Sequence, residues 1–157
     1  MSDCPMTLFG KKQLETELER LIKVEREEIK IAIQEARELG DLKENAEYHA
    51  AKERQSIIEG RIMDLQSKLA RSKVVDTAQM KGDKIVFGAT VTIFDQQKET
   101  EITYQIVGED EAMSDAGKIS FNSPLGKAMI GKEQGDEVLV KAPKGDLTYE
   151  IVNFKYI

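Results

Sequence analysis

Gly40-Asp41-Leu42-Lys43-Glu44-Asn45 separates two long charged stretches, residues 11–39 and 42–74, each of which carries a helical period. Gly40 interrupts the pattern and is free to take the left-handed geometry that ends a helix. Asp41 then reads as the N-cap of the second helix, with Glu44 at its third position, a capping box with Asp in place of Ser or Thr. Both acids also suit the positive end of a helix. The same two carboxylates admit a second reading. Acids three residues apart lie on one side of a helix start. Mg²⁺ takes one or two protein carboxylates and completes its shell with water and phosphate. The two readings are compatible, because a cap fixes the rotamers that a metal needs.

Outward from this bend, the first stretch places Leu14, Leu18, Leu21, Ile29, Ala32, Ile33 and Ala36 on one stripe, weakened in the middle by Glu25, Glu27 and Glu28. Thr7 is a cap candidate for this helix, and Gly10 suggests a frayed first turn. At ~1.5 Å per residue the helix is about 40 Å long. The second stretch alternates steps of three and four through Tyr48, Ala51, Gln55, Ile58, Ile62, Leu65 and Leu69, the spacing of a coiled coil. Small Ala46, Ala50 and Ala51 let the helices approach closely near the bend. Gly60, inside this helix, costs ~1 kcal/mol relative to Ala without evident reason. The expected unit is an antiparallel helical hairpin, with Leu18 and Leu21 facing Ile62, Leu65 or Leu69.

The chain has 157 residues, 33% of them charged, and a net charge of −6. Residues 1–76 carry 14 Lys/Arg against 16 Asp/Glu, so the hairpin is not a basic nucleic-acid-binding domain. A single cysteine, Cys4, excludes an intrachain disulfide and the usual Cys₄ or Cys₂His₂ zinc site. His49 is the only histidine and reads as a tip residue rather than a catalytic base. No stretch resembles a signal peptide or approaches the ~20 apolar residues of a membrane span. A cytoplasmic monomer is the expectation.

After a boundary over residues 74–84 the period changes to two. Residues 85–87, 90–94, 101–107, 118–121, 137–141 and 147–156 are strand-like and rich in β-branched residues. Ser123-Pro124 caps a short helix that Gly131 closes. The fold class is therefore α+β: a coiled-coil hairpin over residues 1–76, followed by a small α+β domain over residues 77–157.

The run from Glu35 to Lys52, unbroken around the bend, resembles the finger tip of the bacterial Gre transcript cleavage factors, of the GreA type. Asn122-Ser123-Pro124-Leu125-Gly126-Lys127-Ala128-Met129-Ile130-Gly131-Lys132-Glu133-Gln134-Gly135-Asp136 is similar to their C-terminal domain, so the likeness spans nearly the whole chain. The resemblance implies an FKBP-like fold for the second domain, which docks on bacterial RNA polymerase while the finger enters the secondary channel. It implies that Asp41 and Glu44 complete a second Mg²⁺ site held jointly with the polymerase, stimulating endonucleolytic cleavage of backtracked nascent RNA. Arg37 and Lys52 match basic positions of the family's finger, where they would contact the RNA 3′ segment; on the residues alone they could equally pair with neighbouring Glu. Inhibitory relatives carry additional tip acids; two are present here, which favours an activator without nuclease activity of its own. The competing expectations are a channel-binding inhibitor that does not promote cleavage and, less favoured by a charged tip, a folding helper.

Overall fold

The computed structural model describes residues 3–157. The chain divides into two compact units, one formed by Lys11–Ser72 and the other by Asp3–Gly10 together with Lys73–Ile157. The division placed at 76/77 from sequence thus falls at 72/73, and residues 3–10 fold with the second unit. There β1 (Cys4–Thr7) pairs with β2 (Ser72–Val75) in a small two-stranded sheet, and Thr7 is hydrogen-bonded to Glu111.

The helical unit is an antiparallel hairpin. Helix α1 (Leu8–Arg20) passes through a π-helical turn, Leu21–Glu25, into α2 (Arg26–Glu38), and α3 (Ala46–Ala70) returns. The π turn has a geometric reason. Leu14 and Leu21 are one heptad apart, but Leu21 and the next buried seam residue, Ile29, are one residue further apart than that. A π turn absorbs one extra residue and keeps both on the same face. On α3 the expected stripe is the observed one: Ala51, Ile58, Ile62 and Leu65 are buried, and Tyr48, Gln55 and Leu69 half-buried. Two bidentate ion pairs cross the hairpin, Arg26 Nε and Nη2 to Glu59 at 2.8 and 2.9 Å, and Arg61 Nε and Nη2 to Glu17 at 2.8 and 3.0 Å. The first of them lies in the stretch between Leu21 and Ile29 in which the apolar stripe is weak.

The second unit carries a five-stranded sheet of order β5-β4-β3-β7-β6. Its strands are β3 (Thr90–Asp95), β4 (Thr100–Val107), β5 (Lys118–Ser120), β6 (Glu137–Ala142) and β7 (Gly145–Lys155), and only β4–β5 is parallel. Strict alternation buries Val91, Ile93 and Asp95 of β3. With Ile85, Ala89, Ile106, Met129, Val138, Val140 and Ile151, the first two form the core. Helix α4 (Pro124–Met129) starts as its sequence requires, with Pro124 in the first turn and Ser123 Oγ accepting from the Gly126 N–H at 3.1 Å. Residues 85–87 are not a strand. Ile85 is fully buried and its backbone bonds Lys132 O and Gly131 N, while Gly88, at φ 95°, turns the chain immediately afterwards.

Thr7 caps α1 as expected, its Oγ1 accepting from the Gly10 N–H at 3.0 Å. Gly10 is not a fraying signal. The buried carboxylate of Glu111 occupies the space beside it, accepting from the Thr7 N–H at 2.9 Å and the Thr7 hydroxyl at 2.5 Å. A Cβ on Gly10 would lie 2.0 Å from Glu111 Cδ.

Candidate functional site at the hairpin tip

Helix α2 ends at Glu38, with Leu39 as its C-cap; Gly40 takes φ 125°, the region open to glycine. The return helix does not begin at Leu42. It begins at Ala46, with Asn45 as N-cap. The Asn45 side chain holds both helices: Oδ1 accepts from the Tyr48 N–H at 3.0 Å and Nδ2 donates to the Ala36 carbonyl at 2.5 Å. This corrects the capping-box reading of Asp41 and Glu44. Asp and Asn are comparable caps on local grounds, but a carboxylate has no donor and could not reach back to Ala36 in the same way.

Asp41 therefore lies outside the helix. Its Oδ1 accepts from the Lys43 N–H at 2.8 Å, a local turn within the loop. Glu44 stands immediately before the cap, and both acids are exposed. The loop thus holds two carboxylates on one turn, neither of them capping a helix. These are hard oxygen donors of the kind that Mg²⁺ accepts. Among the described residues no three or more His, Cys, Asp or Glu side chains converge as a metal site, so a cation at this tip would need ligands from outside the chain.

The two basic candidates lie on the helices that flank the loop, and both are exposed. Arg37 places its guanidinium 5.8 Å from the centroid of the Tyr48 ring, and Lys52 Nζ donates to Gln55 Oε1 at 3.3 Å. Neither contact is the pairing with Glu that the sequence offered as an alternative. His49, in the first turn of α3, sets its ring edge-on to Tyr48 with centroids 5.6 Å apart, and its Nε2 lies 3.1 Å from the Lys43 carbonyl. Sequence reading did not find the roles of Asn45 and His49. The signal for Asn45 was its cap propensity three residues before Tyr48; the contact of His49 depends on how the loop folds back.

Comparison with known proteins places this tip in context. Residues 4–74 match the family model described as transcription elongation factor, N-terminal, and residues 79–156 the one described as transcription elongation factor, GreA/GreB, C-term. The chain belongs to the GreA/GreB family of transcription elongation factors. It is 54% identical to the transcription elongation factor GreA of Thioalkalivibrio sulfidiphilus, over 100% of both chains. It is 57% identical to that of Pelobacter propionicus, covering 97% of this chain and 96% of the other. Among solved structures it is similar to the GreA factor homolog 1 protein of Thermus thermophilus, with 30% identity, 97% of this chain and 98% of that one covered, and a TM-score of 0.45. The whole tip loop lies within the N-terminal match.

Proposed function

We infer that this chain is a transcription elongation factor that stimulates RNA polymerase to cleave backtracked nascent RNA, and that Asp41 and Glu44 are the residues it contributes to the reaction. Membership of the GreA/GreB family supports the first part. The observation that carries the second is that both carboxylates are exposed at the hairpin apex and released from capping, a duty taken over by Asn45. Asp41 and Glu44 would hold a Mg²⁺ ion together with ligands of the polymerase. When bound, such an ion stabilises developing charge on a phosphodiester under hydrolysis. The chain's own part is to present two oriented acids. Asp41 is set by the Lys43 N–H, and the loop is anchored to two helix ends through Asn45. Arg37 and Lys52 flank the loop as partners for phosphates of the RNA 3′ segment.

On this reading the chain has no nuclease activity alone, because two acids do not make a two-metal site. It works as a cytoplasmic monomer on the polymerase; no helix among the described residues is long and apolar enough to cross a membrane.

The test uses a stalled, backtracked polymerase complex with Asp41→Asn and Glu44→Gln variants. Asn keeps the oxygen that accepts from Lys43, and Glu44 has no cap role to lose, so both variants should fold and compete with wild type for polymerase. Each should lose most RNA cleavage, since a neutral amide is a poor ligand for a hard cation, and raised Mg²⁺ should restore part of it. Persistence of cleavage at ordinary Mg²⁺ would overturn the role of the acids. Inhibition without cleavage by the wild-type chain would make it a channel-binding inhibitor instead.

A further inference from the structure

We propose that His49 is a positioning residue for the acid pair: its ring fixes the Lys43–Glu44 peptide and thereby the angle between the two carboxylates. The proposal rests on the role given above to Asp41 and Glu44. A carbonyl oxygen only accepts, so the 3.1 Å contact with Lys43 O makes His49 Nε2 a donor and fixes the proton on that nitrogen. Nε2 then has no lone pair, so toward Lys43 the ring acts purely as a donor. The Lys43 residue is gripped at both ends, its N–H by the Asp41 carboxylate and its C=O by His49.

That C=O belongs to the peptide from which Glu44 departs. The orientation of Asp41 and the exit direction of Glu44 are therefore set by one backbone segment. Its only side-chain anchor on the rigid return helix, apart from the Asn45 cap, is an imidazole that itself packs edge-on against Tyr48, among the described residues. Hard-cation sites tolerate little error in oxygen placement, so an untethered loop would weaken the ion's hold without removing a ligand.

Two variants separate the parts. His49→Phe keeps a ring beside Tyr48 and removes the donor; His49→Gln returns an N–H donor at similar reach. Backbone ¹⁵N relaxation on the free chain reads loop order independently of any cleavage assay. In wild type, Lys43 and Glu44 should relax like the adjoining helices, with order parameters near ~0.85; His49→Phe should lower them toward ~0.6, and His49→Gln should restore them. In the stalled-complex assay, His49→Phe should raise the Mg²⁺ concentration for half-maximal cleavage about two- to tenfold, the scale of one hydrogen bond, at unchanged competition for polymerase. His49→Gln should return it to near wild type. If His49→Phe changes neither loop order nor the Mg²⁺ requirement while Asp41→Asn abolishes cleavage, the positioning role is wrong and the acid role stands. If Asp41→Asn cleaves normally, both fail. If Gln fails to rescue although the loop is ordered, the imidazole acts chemically and positioning is again refuted.

Discussion

The same substitution, Gly to Ala inside a helix, should have opposite signs at Gly10 and Gly60. Ala is favoured over Gly by ~1 kcal/mol in a helix interior. At Gly60 a Cβ would meet nothing within 4 Å, so Gly60→Ala should gain that full amount. For a chain of this size the gain corresponds to a rise in melting temperature of ~2–4 °C. At Gly10 the added methyl would lie 2.0 Å from Glu111 Cδ and 2.3 Å from its Oε1, so the carboxylate must leave. Leaving breaks its hydrogen bonds to the Thr7 N–H and hydroxyl. At ~1.5–3 kcal/mol for each bond to a charged group, the loss is about 3–6 kcal/mol against a gain of ~1, a net destabilisation of about 2–5 kcal/mol. Urea unfolding followed by far-ultraviolet circular dichroism measures both variants. A second background makes the cause specific. With Glu111→Ala already present there is no carboxylate to displace, and Gly10→Ala should then stabilise by ~1 kcal/mol. If Gly10→Ala stabilises the otherwise wild-type chain as Gly60→Ala does, Glu111 is not the reason for this glycine and the anchoring of residues 3–10 through Thr7 is misread.

Ile58 is buried in the hairpin seam, so Ile58→Asp should lower stability by about 3–5 kcal/mol and abolish competition for polymerase; unchanged melting would mean that α3 does not pack on this face. Arg26→Ala and Glu59→Ala should show a favourable coupling in a double-mutant cycle at low salt that shrinks in 1 M NaCl, and a coupling indifferent to salt would contradict an ion pair at that half-exposed site.

What could be read from the sequence follows the range over which each signal acts. The α3 stripe and the alternation of β3 are local periods, and burial reproduces them residue by residue: Ile58, Ile62 and Leu65 on one, Val91 and Ile93 on the other. Burial against any apolar partner rewards such a period, so it survives ignorance of the partner. Ile85-Val86-Phe87 has the composition of a strand but not the pairing, because its backbone bonds go to Gly131 and Lys132 instead of to a ladder. Gly10 looked like a weak helix start because its explanation, Glu111, is far away in sequence. Nothing local pairs Arg26 with Glu59, because only the hairpin register brings them together. The tip shows the limit most clearly. Asp41 and Asn45 carry nearly equal cap propensity, and the choice between them was made by one donor group, the Asn45 amide, finding the end of the other helix at Ala36. That choice is what releases Asp41 and Glu44 from capping a helix. Had Asp41 been the cap, its carboxylate would have been engaged by helix N–H groups and Glu44 committed to the first turn, leaving less of either acid for a cation. The functional reading of the two acids thus depends on Asn45, a residue that local sequence rules could not single out.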